Sequence, residues 1–241
     1  MVDALFGVPR LVGVYDWLEG GRGDLAAYVE IVREFGARSV LDVGCGTGAL
    51  ATLLAGLGVE VVGVDPAEAS LEVARGKAGA EKVRWVHGDA TGLPELQVDL
   101  AVMTGNVAQV FLSDEEWVAT LYGLRAALAP GGRFVFETRD PARRAWLEWN
   151  REATYRRVEV DGVGVVENWT ELVEVREPFV TFRSEYVFEA DGAVLTSEST
   201  LRFRSRAEIE ESLQATGFAV TDVRDAPDRP GKEFVFVAEL A

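Results

Sequence analysis

Residues 40–48 constrain this chain more than any other stretch, because the apolar run Val40-Leu41-Asp42-Val43 leads straight into Gly44-Cys45-Gly46-Thr47-Gly48. A buried strand followed by glycines at alternate positions is a chain that must turn sharply. Without β-carbons, Gly44, Gly46 and Gly48 can take positive φ and let a ligand approach the backbone N–H groups. The spacing alone admits a dinucleotide fingerprint, since Gly44, Gly46 and Ala49 loosely satisfy G-x-G-x-x-G/A.

A second apolar run, Val59 to Val64, ends in Asp65. An acid about 20 residues beyond a glycine turn suits hydrogen bonds from ribose hydroxyls, which NAD and S-adenosylmethionine both carry. A third run, Val83 to His87, ends in Gly88-Asp89-Ala90. There Asp89 can accept from an adenine amino group while the Ala90 N–H donates to a ring nitrogen. Acids at 42, 65 and 89 thus mark one edge of a sheet.

Four segments in order now resemble the class I S-adenosylmethionine-dependent methyltransferases. They are Asp42 to Gly48, Val64-Asp65-Pro66, Gly88-Asp89-Ala90, and the helix-to-strand turn Leu128-Ala129-Pro130-Gly131-Gly132-Arg133-Phe134. The resemblance implies S-adenosylmethionine as cofactor, held by Asp42, Gly44, Cys45, Gly46, Gly48, Asp65, Pro66, Asp89 and Ala90. Tyr15-Asp16-Trp17, placed before the first helix, resembles the Tyr-Asp start of many small-molecule methyltransferases, with Tyr15 near the methionyl end; a helix packing its aromatics on the sheet is the alternative. The resemblance puts the backbone at Thr104 beneath the sulfonium. A helix N-terminus attracts anions, so the cofactor carboxylate is expected at the helix after Gly48 and its ammonium at Asp42.

Short apolar runs alternate with helical stretches up to about residue 150. Strands are expected near 39–43, 59–64, 83–87, 98–103 and 133–138, and helices near 24–36, 49–57, 67–78 and 114–128. This alternation predicts an α/β fold, a Rossmann-like and mostly parallel sheet with helices on both faces. Strands near 218–224 and 233–239 bring it to seven. Between them, residues 153–204 change to period two, with turn signals at Asp161-Gly162 and Asp191-Gly192, which predicts an antiparallel insert of about four strands. Ser205-Arg206-Ala207-Glu208 reads as a capping box for a helix that Gly217 ends. Residues 1–241 are read as one methyltransferase domain. The insert follows strand five, whose carboxyl end lies on the ligand edge, so it can cover the substrate or make the contact of a homodimer.

Forty acidic residues against 24 basic ones give a net charge of −16, which opposes binding to a phosphate backbone. Nucleic acid is not an expected partner. Cys45 is the single cysteine, which excludes an internal disulfide and fits a reducing cytoplasm. No segment reads as a leader or a membrane span, and no His, Cys and carboxylate cluster has metal-ligand spacing. The only histidine, His87, ends strand three and is expected to face the adenine rather than the methyl group.

Acceptor residues are expected beyond strands four and five. Asn106 and Gln109 can hold substrate, and Glu137, Arg139 and Asp140 fall at the active edge of strand five, where a carboxylate can orient an amine or a general base take its proton; a surface ion network capping the next helix is the alternative. Trp146 and Trp149 either line an apolar pocket or belong to the core. Enzymes that methylate base or glutamine amides carry Asn- or Asp-Pro-Pro-Tyr where this chain has Thr104-Gly105-Asn106-Val107, a departure that argues against amide and base methylation and leaves a small metabolite as the expected acceptor, methylated at nitrogen more than at oxygen. The insert, the Tyr-Asp start and the ending Ala207 to Phe218 resemble amino-sugar and glycine or sarcosine N-methyltransferases. An NAD-dependent oxidoreductase and a non-catalytic cofactor-binding module stay open on the residues alone.

Overall fold

The computed structural model describes residues 2–20 and 22–241. Seven strands form the main sheet: β1 (Ser39–Val43), β2 (Glu60–Asp65), β3 (Val83–His87), β4 (Val98–Met103), β5 (Leu128–Arg139), β10 (Phe218–Asp225) and β11 (Glu233–Leu240). Their order is β10-β11-β5-β4-β1-β2-β3. The first five run parallel, and β11 enters antiparallel between β5 and β10. The strand order reverses at β1, so the crevice outside the carboxyl ends of β1 and β4 is where a ligand sits in an open α/β sheet.

Helices α3 (Leu25–Glu34), α4 (Ala49–Gly56), α5 (Glu68–Arg75), α6 (Asp114–Ala127) and α8 (Arg206–Ala215) accompany the main sheet. Alternate residues of each strand point to opposite faces. On one face Leu41, Met103, Phe134 and Phe136 pack with Trp117, Leu121 and Leu213; on the other Val40, Val102 and Val135 pack with Tyr28, Val32 and Leu54. Both faces are covered, which explains why β1 and β4 read as continuous apolar runs.

Each of α6 and α8 begins with a capping box. The Ser113 and Ser205 hydroxyls accept from the backbone N–H three residues on, and Glu116 and Glu208 return the bond. Strand β5 starts earlier than expected: Leu128 already pairs with Val98, after which Ala129–Gly132 loops out before Arg133 pairs with Leu100.

The insert is a separate antiparallel sheet of β6 (Arg156–Val160), β7 (Gly164–Arg176), β8 (Phe179–Phe188) and β9 (Ala193–Arg202). Two short N-terminal helices, α1 (Ala4–Gly7) and α2 (Pro9–Glu19), precede the first expected helix. Tyr15-Asp16-Trp17 therefore lies inside α2 rather than ahead of any helix. Leu11, Val14 and Leu18 of α2 pack against Val160, Val166, Tyr186 and Phe188 of the insert. The same N-terminal segment reaches the main fold, where the Ser70 hydroxyl of α5 donates to the Phe6 carbonyl. A short α7 (Arg151–Thr154) leads into β6. Trp146 meets Phe203 edge-on at 4.7 Å and Trp149 meets Phe182 at 4.8 Å, so both tryptophans belong to the core joining residues 145–149 to the insert.

Among the described residues, no helix is long and apolar enough to cross a membrane.

Candidate active site

Gly44, Gly46 and Gly48 all adopt left-handed φ, of 70°, 54° and 76°. At two of them sterics exclude a side chain as well: a Cβ on Gly44 would lie 2.7 Å from Val107 Cγ2, and one on Gly48 2.4 Å from the Trp85 ring. Over Gly46 nothing lies within 4 Å. The turn is packed from beneath and open above its middle glycine.

Asp65 ties this turn to the end of β2. Its Oδ2 accepts from the Gly46 N–H at 2.8 Å and its Oδ1 from the Ala67 N–H at 2.8 Å. Each oxygen keeps a lone pair for a further donor, such as a ribose hydroxyl. Burial pushes this carboxyl above its usual range, against the two N–H donors that favour the charged form.

Asp42 supplies the test of fit for the methionyl end of S-adenosylmethionine. Its carboxylate is 1% exposed, and Oδ1 has no hydrogen-bond partner among the described residues. Burial pushes its pKa up to about 7, with Arg22 pulling it down and Asp65 pushing it up. A buried carboxyl oxygen without a donor is unfavourable unless a ligand supplies one, and an ammonium group does. The residues present fit the group.

Arg22 stands at the same end and was not singled out by the sequence reading. Its Nε donates to Asp24 Oδ1 at 2.8 Å, and its Nη2 to Thr104 Oγ1 at 3.2 Å. Its charge is felt by both Asp42 and Tyr15. The sequence signal was an isolated arginine between glycines 20, 21 and 23, a run that reads as linker. By contrast, the helix end after Gly48 already has a carboxylate beside it: Asp16 Oδ1 accepts from Thr47 Oγ1 at 2.6 Å, and Lys77 pairs with its other oxygen. Each cation at this end is thus already paired with an acid, Lys77 with Asp16 and Arg22 with both oxygens of Asp24, and the Arg22 guanidinium is a second candidate seat for a carboxylate beside the helix end.

Asp89 and Ala90 form the third contact point. Asp89 Oδ1 accepts from the Thr91 N–H at 2.8 Å and hydroxyl at 2.5 Å, which fixes the tight turn Ala90–Gly92. Helix α6 lies directly on this turn, because Gly123 has no side chain: a Cβ there would sit 1.9 Å from the Ala90 carbonyl oxygen. His87 is exposed beside the Pro66 carbonyl and Glu68, at the β2–β3 end of the edge. Cys45 is buried and its thiol is pushed up by desolvation, which keeps it from acting as a nucleophile.

Beyond β4 and β5 four of the expected acceptor residues are brought together. Glu137 Oε1 accepts from the Gly105 N–H at 2.7 Å and Oε2 from the Tyr28 hydroxyl at 3.1 Å. Burial raises its pKa, and the charges of Glu233 and Asp24 raise it further. Arg139 donates to Gln109 Oε1 at 2.9 Å and lies over the Trp149 ring at 5.8 Å. Asn106 Nδ2 donates to Glu233 Oε1 at 3.2 Å. Glu233 is the residue that sequence reasoning missed; it comes from the far end of the chain, and only the pairing of β11 with β5 sets it opposite Arg139.

A parallel sheet reversing at β1, a glycine turn tied to the acid of β2 and a buried acid inside β1 give this chain the Rossmann-like fold of the class I methyltransferases. Residues 40–132 match the methyltransferase domain family. Over 130 residues the chain is 36% identical to the cypemycin N-terminal methyltransferase of a Streptomyces species, covering 54% of this chain and 53% of that protein. It is 30% identical over 139 residues to the mitochondrial ubiquinone biosynthesis O-methyltransferase of Schizosaccharomyces pombe, covering 52% of this chain and 50% of the other. The chain thus spans about half the length of these curated relatives. Its fold is similar to that of S-adenosylmethionine-bound CalS10, an amino pentose methyltransferase from Micromonospora echinaspora, with TM-score 0.73, 23% identity, and coverage of 95% of this chain and 97% of that one.

Proposed function

We propose that this chain transfers a methyl group from S-adenosylmethionine to a small-molecule acceptor, at nitrogen rather than oxygen. The observation that carries the reading is Asp42, whose buried, unpartnered oxygen lies at the switch point of the sheet beside an arginine and a glycine turn. An amino-acid end with ammonium toward Asp42 and carboxylate toward Arg22, and a ribose toward Asp65, accounts for all three.

When bound, the sulfonium supplies an already electrophilic methyl, so the protein's task is placement and exclusion of water. Thr104 to Gln109 form the loop under the transfer, with Gly105 braced by Glu137. Asn106 Oδ1 and Gln109 Nε2 are buried and without partners among the described residues, and are groups left to orient the acceptor. The preference for nitrogen is supported by Glu137, a buried carboxylate beside the loop that has no cationic partner among the described residues and can take the proton an amine gives up, whereas Asp24 is paired with Arg22 and Glu233 with Arg229 and Arg139. Names of relatives point both ways, to an N-terminal methyltransferase and to an O-methyltransferase. The insert serves as substrate cover in this reading, supported by the aromatic contacts that join it to residues 145–149.

Calorimetry with S-adenosylhomocysteine and with NADH tests the cofactor; binding of NADH alone overturns the proposal. A metabolite screen read by homocysteine release then tests turnover, with amines expected among the hits and only phenols or carboxylates counting against nitrogen.

A further inference from the structure

We infer that Glu233 is a positioning residue: it fixes the Gly105–Asn106 turn and the amide orientations of Asn106 and Gln109, and so sets which hydrogen-bonding groups the acceptor meets. The inference deepens the methyl-transfer reading and rests on it for the identity of the ligand.

Because β11 runs antiparallel to β5, its first residue returns to the edge where β5 ends, and Glu233 pairs directly with Arg139. Glu233 is 3% exposed. Its Oε1 accepts from Arg229 Nη1 at 2.7 Å and from Asn106 Nδ2 at 3.2 Å, and lies 3.6 Å from Arg139 Nε. Two guanidinium groups make the buried carboxylate tolerable. The other hydrogen bond to Oε1 comes from the loop, while Oε2 has no partner among the described residues.

That loop is conformationally demanding. Gly105 and Asn106 are consecutive left-handed residues, with φ of 70° and 63°. Asparagine enters this region more readily than most side chains, yet it still needs something to hold it there. Glu137 holds the Gly105 N–H and Glu233 holds the Asn106 side chain, so acids from two neighbouring strands clamp successive residues.

The same charges select the orientation of two amides. A carboxylate can only accept, so Asn106 must give it Nδ2 and present Oδ1; a guanidinium can only donate, so Gln109 must give Arg139 its Oε1 and present Nε2. Both atoms are buried and without partners among the described residues, as is Glu233 Oε2 in the same cluster. Asn106 and Gln109 share one turn, the Gln109 N–H donating to the Asn106 carbonyl at 3.0 Å. The acceptor therefore donates to Asn106 and accepts from Gln109, as a molecule with neighbouring donor and acceptor groups does.

Hydrogen exchange of the full chain, followed by mass spectrometry, tests this without an acceptor. E233Q should raise exchange across residues 103–110 about ten- to a hundredfold, the loss expected for a hydrogen bond to a charged group, while β1 and β2 stay protected. In an N106G background, where glycine holds the turn unaided, E233Q should add little. Unchanged exchange at 103–110, or an equal rise over the whole sheet, overturns the inference. Should E233Q not fold, E233D decides: it keeps the charge but withdraws the carboxylate from Asn106, and should give the same local rise. S-adenosylhomocysteine binding is measured on the same wild-type protein; its absence removes the methyltransferase reading while the exchange result still judges the clamp.

Discussion

Asp42 is the residue whose chemistry is set most strongly by its surroundings. Its folded pKa of about 7 exceeds the usual value of 3.8, so its contribution to stability is complete below that value and is lost as pH rises through about 7. An ammonium partner reverses the preference by favouring the ionised form. Binding of S-adenosylhomocysteine at about pH 6 should therefore release a proton, detectable as a dependence of the binding heat on buffer ionisation enthalpy. Asp42→Asn should abolish that release, and proton release unchanged in the variant would remove Asp42 from the contact. Asp65→Ala should weaken the same ligand by about 1.5–3 kcal/mol through lost charge-assisted hydrogen bonds. Since Asp65 also holds the Gly46 and Ala67 N–H groups, a lower melting temperature should accompany the weaker binding.

At the scale of elements, the Ala90–Gly92 turn depends on the helix packed against it. Helix α6 can lie on Ala90–Gly92 only because position 123 is glycine. Gly123→Ala should force the two apart and lower unfolding free energy by about 1–3 kcal/mol, the cost of overpacking. Urea titration measures the loss, and a fall in S-adenosylhomocysteine affinity alongside it would show that the turn, and not only the helix, has moved. The strands at 39–43, 83–87 and 98–103 were legible to the residue, because apolar runs end at glycine or polar turns. Helix α2 was not: its buried residues face the insert, a partner more than a hundred residues away, and its aromatic-acidic middle reads equally as a binding segment.

For the whole molecule, the insert is bound to the parallel sheet through the N-terminal helices as well as through residues 145–149. Phe188 is buried where α2 meets the insert, under the Arg10 guanidinium at 3.9 Å. Phe188→Ala should cost about 3–5 kcal/mol. If the cost is local to this contact, limited proteolysis should cleave first within residues 2–20 and the insert, with β1 to β5 protected; cleavage spread evenly over the sheet would show a single cooperative unit instead.

The glycine turn, the acids ending the strands and the alternation of helix and strand were determined by sequence, because each follows from local sterics and from periodicity along the chain. Asp42, Asp65 and the 104–109 loop could be named for that reason. Only the tertiary structure decided that the charge of Arg22 reaches Asp42, that Asp16 and Lys77 pair beside the helix after Gly48, and that Glu233 meets Asn106. These contacts join residues far apart in sequence through strand register and side-chain burial, and no local pattern records the charge that a distant strand brings to a site.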